Sequence, residues 1–409
     1  MTARQTRVGI IGAGPAGLAL ALLLERAGIE SVVLERHTRE YVENRIRAGI
    51  LEYEVAELLR ANGVGARMDR EGFRHAGTNL LFDGALHHID FAALTGKHVM
   101  LYSQHEVVRD LIAARLAQGG EIRFGAEVAE IAAIGGPRPV LRWREAGGER
   151  ALACEIVAAC DGFHGVGRAA LAGALTGAMD AGALDAGGME SFDRAYPFAW
   201  LGILAAVPPA KEELVYASHA EGFALLSMRS ATVSRLYLQC APDELLSAWP
   251  DGRIWEALAR RLAHPGFTLP TGPILQKSVT PMRSFVSEPM QAGRLFLAGD
   301  AAHIVPPTGA KGLNAAVADA AVLARALVRA LRDGDERGLA GYSATCLDRI
   351  WKIERFSWWM TAMMHRFADH SAFDRRMQHA ELEYYTSSLA GRTALAENYV
   401  GLPLYGEEG

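Results

Sequence analysis

The hydrophobic pattern opens on a β-α-β unit. Residues 7–11 form a short apolar run that predicts a buried strand, residues 15–27 carry leucine and alanine at helical spacing, and residues 31–34 make a second short strand. Such a unit implies a parallel sheet with a right-handed crossover. Similar apolar strands recur at 155–159 and 295–298, so that sheet is expected to be assembled from separated pieces of chain. Between roughly 196 and 239 the texture changes. Residues 214–219, 223–229 and 234–240 read as consecutive antiparallel strands, which predicts an inserted sheet. After about residue 300 the pattern is mostly helical, and the Ala/Gly-rich segment 170–188 reads as a surface insertion.

Bulk properties narrow the function. The chain has 409 residues, 50% of them hydrophobic, enough for two domains with their own cores. A net charge of −5 leaves no basic stripe for nucleic acid or anionic lipid. Cys154, Cys160, Cys240 and Cys346 show no C-x-x-C pair and no metal-ligand clustering, which fits reduced thiols and no metal site. Arg4 and Arg7 precede an apolar run to Leu24, but three glycines interrupt it and no small-residue cleavage site follows, against a secretory signal. Residues 356–367 are apolar yet too short to span a bilayer and are bracketed by Arg355 and Arg366, so a buried core or dimer helix is expected. A cytoplasmic protein follows from these readings.

The chemistry begins at Gly12-Ala13-Gly14-Pro15-Ala16-Gly17, at the strand-to-helix turn. The first glycine permits the tight turn, the second lets backbone approach a pyrophosphate, and the third lets helix and strand pack closely. Phosphates would meet the free N–H groups at the helix start. Glu35 closes the second strand where a carboxylate can accept from a ribose hydroxyl. Asp161, in Cys160-Asp161-Gly162, and Asp300, in Leu297-Ala298-Gly299-Asp300, each follow an apolar strand. Asp300 could hold ribityl hydroxyls; taken singly, either aspartate also reads as a turn residue or helix N-cap. Pro306 through Asn314 is stiff, then flexible, then enters a helix whose first N–H groups could stabilise negative charge on a bound group. His303 reads as a packing or hydrogen-bonding residue at that turn rather than a catalytic base.

Together these elements resemble the group A FAD-dependent aromatic hydroxylases. So do Arg45-Ile46-Arg47-Ala48-Gly49, Asp161 through Gly165, Arg355 through Met360, and Glu397 through Pro403. The resemblance implies an α/β (mixed α+β) fold: a Rossmann-like FAD-binding domain, an inserted antiparallel-sheet substrate domain and a C-terminal helical region. The expected boundaries are 1–74, 98–190 and 280–350 for the first, 75–97 and 191–279 for the second, and 351–409 for the third, an interface region of a homodimer. It also implies FAD contacts at Gly12, Gly14, Pro15, Ala16, Gly17, Glu35, Arg45, Arg47, Gln104, Asp161, Asp300, Gly309, Lys311, Gly312, Leu313 and Asn314.

The implied reaction is hydroxylation of 4-hydroxybenzoate at C3 by NADPH and O2, the oxygen coming from a flavin C4a-hydroperoxide. Ser227 and Arg229 lie two apart in an expected strand, so both face one side, and Tyr237 on the next strand can join them. A guanidinium flanked by hydroxyls suits a carboxylate, each charge-assisted hydrogen bond being worth roughly 1.5–3 kcal/mol. At the phenol end the resemblance implies a Tyr216–Tyr399–His75 proton relay, with the Pro307 carbonyl and the Asn314 side chain as further ring and flavin contacts. NADPH is expected at Arg36, His37, Tyr41, Arg45, Arg47, His164 and Arg283, several of them cations suited to a 2′-phosphate, with NADH as the alternative. Two further readings stay open: the same fold acting on another phenolic or amino-substituted benzoate, and a flavin- or aromatic-acid-binding sensor that does not turn over.

Overall fold

The computed structural model describes residues 4–45, 47, 49–145, 147–180 and 188–405. Ile46 and Ala48 of the Arg-Ile-Arg-Ala-Gly motif, part of the Ala/Gly-rich segment and the outermost ends of the expected domains lie outside them.

The first sheet is the expected parallel one. The strand Arg4–Ile11 is central, paired in parallel with Ser31–Glu35 on one side and Gly148–Ala159 on the other. Leu295–Leu297 extends the sheet beyond Gly148–Ala159, and Glu121–Phe124 extends it beyond Ser31–Glu35. Register aligns Ile10 with Val33 and with Ala158, so Gly12, Cys160 and Ala298 all leave at the carboxyl edge. That edge is where open α/β sheets receive ligands. Helix Pro15–Arg26 packs on the sheet with Leu18, Leu20 and Leu24 buried. Each such leucine contributes roughly 1.5–3 kcal/mol by leaving water.

The second sheet has eight strands and is mostly antiparallel. Val215–Ala217, Ala224–Ser230 and Val233–Cys240 follow one another as consecutive antiparallel strands, as expected from the sequence. Gly77–Phe82 adds to Val215–Ala217 in parallel, and Ala85–Asp90 forms the edge. Two long strands, Glu190–Ala205 and Ile274–Glu288, pair along nearly their whole length and carry the chain out to this sheet and back.

Two expectations change on inspection. The first part of the Ala/Gly-rich segment is a helix, Gly167–Asp180, not a surface insertion, with Leu171 wholly buried and Leu175 nearly so. Alanine is the strongest helix former, and leucines four apart share one face, so composition that looked like low complexity builds an ordinary packed helix. The aromatic run at 356–367 lies largely in helix Tyr342–Met364, where Phe356, Met360, Met363 and Met364 are buried, which makes it a core helix. Among the described residues no helix is long and apolar enough to cross a membrane. All four cysteines are buried and unpaired, and no metal-ligand cluster occurs among the described residues.

Candidate active site

The glycine turn is built by contact within the protein on two sides and left open on the third. Gly12 has φ +99°, and a Cβ there would stand 2.4 Å from the Cys160 carbonyl oxygen. A Cβ on Gly17 would stand 2.1 Å from the Gly12 oxygen, whereas one on Gly14 would meet nothing within 4 Å. Helix Pro15–Arg26 starts with no side-chain cap, so its first N–H groups face that open side. Glu35 is buried beneath the turn: its Oε2 accepts from the Ala13 N–H at 2.8 Å and its Oε1 from the His37 N–H at 2.8 Å. The acid therefore fixes the loop as well as bordering it. Gln104 opens the Gln104–Ala117 helix and is half-buried.

The two aspartates part company. Asp161 turns its carboxylate onto the start of the next helix, accepting from the Gly167 N–H at 2.8 Å, the plainer of the two readings. Burial raises its carboxyl, opposed by that bond. Asp300 keeps solvent contact at the strand end, in the turn Gly299–Ala301. Protein crowded around it raises its carboxyl, opposed by His303, Arg47 and Arg45. Behind it, Asp319 accepts from the Gly299 N–H at 2.9 Å and pairs with His303 Nε2 at 2.6 Å. Burial opposes the imidazolium of His303 and Asp319 outweighs it, raising the group. His303 is thus the hydrogen-bonding residue its position suggests.

The 306–314 loop is spent differently from the expectation. Pro307–Gly309 forms one 3-10 turn, with the Pro307 carbonyl accepting from the Ala310 N–H at 2.9 Å. The Asn314 side chain, expected at the ring, is buried and occupied by backbone: Oδ1 accepts from Glu52 N–H at 2.8 Å, and Nδ2 donates to Ile50 at 2.9 Å and Ala310 at 3.0 Å. Lys311, expected at the cofactor, is buried and donates to Glu52 Oε1 at 2.6 Å and the Tyr399 carbonyl at 3.0 Å. Burial lowers its ammonium, with Glu52 opposing. Arg349 reaches the other oxygen of Glu52 at 3.2 Å. What the loop leaves open is backbone: helix Gly312–Asp333 begins at Gly312 and Leu313 with no side-chain cap, beside the buried Gly309.

Across the second sheet, register gathers one row of residues. Tyr216 stands opposite Leu225, Leu225 opposite Tyr237, and Tyr237 opposite Gly202. Opposed residues share a face, so both tyrosines project to the same side. Tyr216 is fully buried, and its hydroxyl meets that of Tyr399, from helix Leu389–Val400, at 2.7 Å. Burial raises both phenols. Phe91 stacks on the Tyr399 ring at 4.8 Å. Ser227 lies opposite Arg235 in the neighbouring row. The ladder slips between Met228 and Ser230, so the strand bulges at Arg229. Its guanidinium donates from Nη1 to Ser103 Oγ at 3.0 Å and from Nη2 to the Arg47 carbonyl at 2.9 Å, while its buried Nε has no partner. His75 is also buried, its Nε2 3.2 Å from Met228 Sδ and its Nδ1 unpartnered. Burial lowers it to about 4, opposed by Glu213.

Two residues at this end escaped the sequence reading. Arg235 lies over the Tyr237 ring at 5.1 Å, with buried Nε and Nη1 unpartnered. Gly202 makes room for it: a Cβ would stand 2.6 Å from Arg235 Nη2. The signal was an arginine two positions before Tyr237, hence on its face. The nicotinamide candidates form local groups. Arg36, His37 and Tyr41 cluster after Glu35, with His37 stacked on Tyr41 at 4.1 Å, and Arg45 and Arg47 are exposed nearby in sequence. Arg283 is paired with Asp193 and lies 4.6 Å over Phe163, whose neighbour His164 is exposed.

Comparison with known proteins places this arrangement. Residues 5–357 match the family model described as FAD binding domain. The chain is 46% identical over 405 residues to a p-hydroxybenzoate hydroxylase of Acinetobacter baylyi, covering 98% of this chain and 97% of that one. It is 27% identical over 355 residues to a probable NADH-specific resorcinol 4-hydroxylase of Rhodococcus jostii, covering 83% of this chain and 61% of the relative. Among solved structures, p-nitrophenol 4-monooxygenase of Pseudomonas putida superposes with a TM-score of 0.81 at 19% identity, over 98% of this chain and 100% of that one. The chain therefore belongs to the FAD-binding monooxygenase family and is an FAD-dependent aromatic hydroxylase.

Proposed function

We propose that this enzyme hydroxylates 4-hydroxybenzoate at C3, giving 3,4-dihydroxybenzoate, with NADPH as reductant and O2 as oxidant. The observation that carries the reading is the buried Tyr216–Tyr399 hydroxyl pair on the face that also bears Tyr237, flanked by Ser227, Arg229 and Arg235. One end of that face can ionise a phenol and the other can grip an acid. The strong similarity to a p-hydroxybenzoate hydroxylase supports the same substrate.

The residues present fit FAD. The open side of Gly14 and the uncapped helix start suit its pyrophosphate, Glu35 its ribose, Asp300 its ribityl chain, and the backbone from Gly309 to Asn314 its ring. Bound FAD supplies the redox chemistry, accepting hydride and activating O2. The chain supplies the rest. Arg229, with unpartnered Nε, binds the substrate carboxylate together with Ser227 and Tyr237, which orients the ring. The Tyr216 hydroxyl takes the phenolic proton and passes its own to Tyr399, leaving an electron-rich phenolate. Burial of these groups keeps water from the reacting carbon. Arg36, His37, Tyr41, Arg45, Arg47, His164 and Arg283 are the surface offered to NADPH.

In this reading the substrate sheet, the nucleotide sheet and the C-terminal helices form the three regions delimited above, in a cytoplasmic homodimer. Exposed Phe373, Met377 and Leu389 on those helices are apolar surface for a second copy. The test is purified, FAD-loaded protein assayed for NADPH oxidation, oxygen uptake and product. Oxidation stimulated by 4-hydroxybenzoate, with matching 3,4-dihydroxybenzoate, is expected. Stimulated oxidation that yields only hydrogen peroxide, or faster turnover of another benzoate, overturns the assignment.

A further inference from the structure

A proton taken from a buried phenol must reach solvent, and the relay as expected ends badly. His75 is 1% exposed, with one ring nitrogen against the Met228 sulfur. Buried so, it can serve as an inner station, with a group nearer the surface needed beyond it. A second pair lies at the same corner. Glu213 Oε1 accepts from the Gly77 N–H at 2.7 Å, and its Oε2 meets His88 Nε2 at 2.8 Å. The His88 side chain is 49% exposed.

The pair is tethered to the relay twice. Glu213 precedes Tyr216 by three residues, in the bend that leads into strand Val215–Ala217. Gly77, whose N–H holds the carboxylate, lies two residues beyond His75 and adjoins the buried Thr78. The field of Glu213 is felt at both His75 and Tyr399. Other charges facing the corner are already taken: Lys311 behind Tyr399 by Glu52, and His379 at the outer edge by Asp83 and Glu383.

We propose that Glu213 and His88 form the solvent-side end of the proton path, the carboxylate receiving the proton and the exposed imidazole handing it to buffer. The proposal rests on the phenolate reading of Tyr216 and Tyr399. At each step one O–H or N–H bond breaks as the next forms; the net change is a phenol that has lost a proton and a buffer that has gained it. Glu213 and His88 act through other groups and are positioning residues.

The test uses FAD-loaded enzyme mixed with 4-hydroxybenzoate in stopped flow, reading phenolate absorbance and, with an indicator dye, proton release. Glu213→Gln keeps the acceptor for Gly77 and His88→Gln alters only an exposed residue, so both variants should bind benzoate, which has no phenol, with wild-type affinity. Each should slow proton release by about tenfold or more, the scale of a lost proton-transfer group. Added imidazole should restore the rate in His88→Gln. Wild-type release in both variants while Tyr216→Phe abolishes it overturns the exit alone. Wild-type release in Tyr216→Phe as well overturns the phenolate reading with it. Slow release in His88→Gln that imidazole does not restore also overturns the exit, since a distorted fold is then the cause.

Discussion

At the nucleotide edge the proposed contact surface is backbone: Gly12 through Gly17, the uncapped starts of helices Pro15–Arg26 and Gly312–Asp333, and loops held from behind by Glu35 and Asp319. On the second sheet the proposed contact surface is side chains: Tyr216, Tyr237, Ser227, Arg229 and Arg235, gathered from three strands, with Tyr399 brought in from a distant helix. Backbone recognition tolerates almost any side chain except where a Cβ would collide. Side-chain recognition fails one group at a time. The two regions should therefore break differently when mutated.

The largest effect is expected at the nucleotide edge. Gly12→Ala combines φ +99° with a Cβ 2.4 Å from a carbonyl oxygen that cannot move away cheaply. A loss of about 4 kcal/mol or more in stability, with loss of bound flavin, should follow. Flavin retention through gel filtration and thermal unfolding measure it; a yellow protein with wild-type melting would erase the contrast. Next, Arg229→Ala should weaken binding of the aromatic acid by about 3 kcal/mol, a hundredfold or more, while flavin stays bound. Titration of flavin fluorescence with the acid reads this directly. Tyr216→Phe should leave acid affinity within about 1 kcal/mol, because only one hydroxyl is lost. It should lower product formed per NADPH consumed, as measured by chromatography against oxygen uptake.

Between the regions sits Glu354. It accepts from Ser284 Oγ at 2.9 Å, and burial pushes it up to about 7 from its ordinary 4.5, with Ser284 and His303 opposing. The folded protein binds this proton more tightly than the unfolded chain, so its contribution to stability falls as pH rises from 4.5 to 7 and is level above. Glu354→Gln should flatten that slope in urea unfolding followed across pH 5 to 8. The smallest effect is expected for Gly202→Ala, which displaces only the flexible end of Arg235. Acid affinity should drop by under about 1 kcal/mol with flavin binding unchanged, in the same titration.

This contrast also explains what could be read from the chain alone. The glycine turn, Glu35 and the alternation of 223–240 are local patterns, and each lies where its spacing puts it. Side-chain aim is another matter. The resemblance implies a ring contact for Asn314, yet its amide is taken by Ile50 and Glu52, more than 260 positions away. Lys311 is claimed by Glu52 in the same way. Asp319 is one acid among the alanines of an apolar helix, and its importance appears only when Gly299 and His303 arrive on it. Gly202 has no side chain to notice; it matters because Arg235 fills the space. Such pairings are settled by packing between distant segments, which no local periodicity records.

Synthesis order adds a last point. Helix Leu389–Val400, which supplies Tyr399, is made after every strand of both sheets. A growing chain thus has every residue of the proposed flavin cradle and acid-binding face before it has Tyr399. Polypeptide released before that helix would lack one hydroxyl of the proposed Tyr216–Tyr399 pair. Flavin colour alone would therefore not report whether the proposed tyrosine pair is complete.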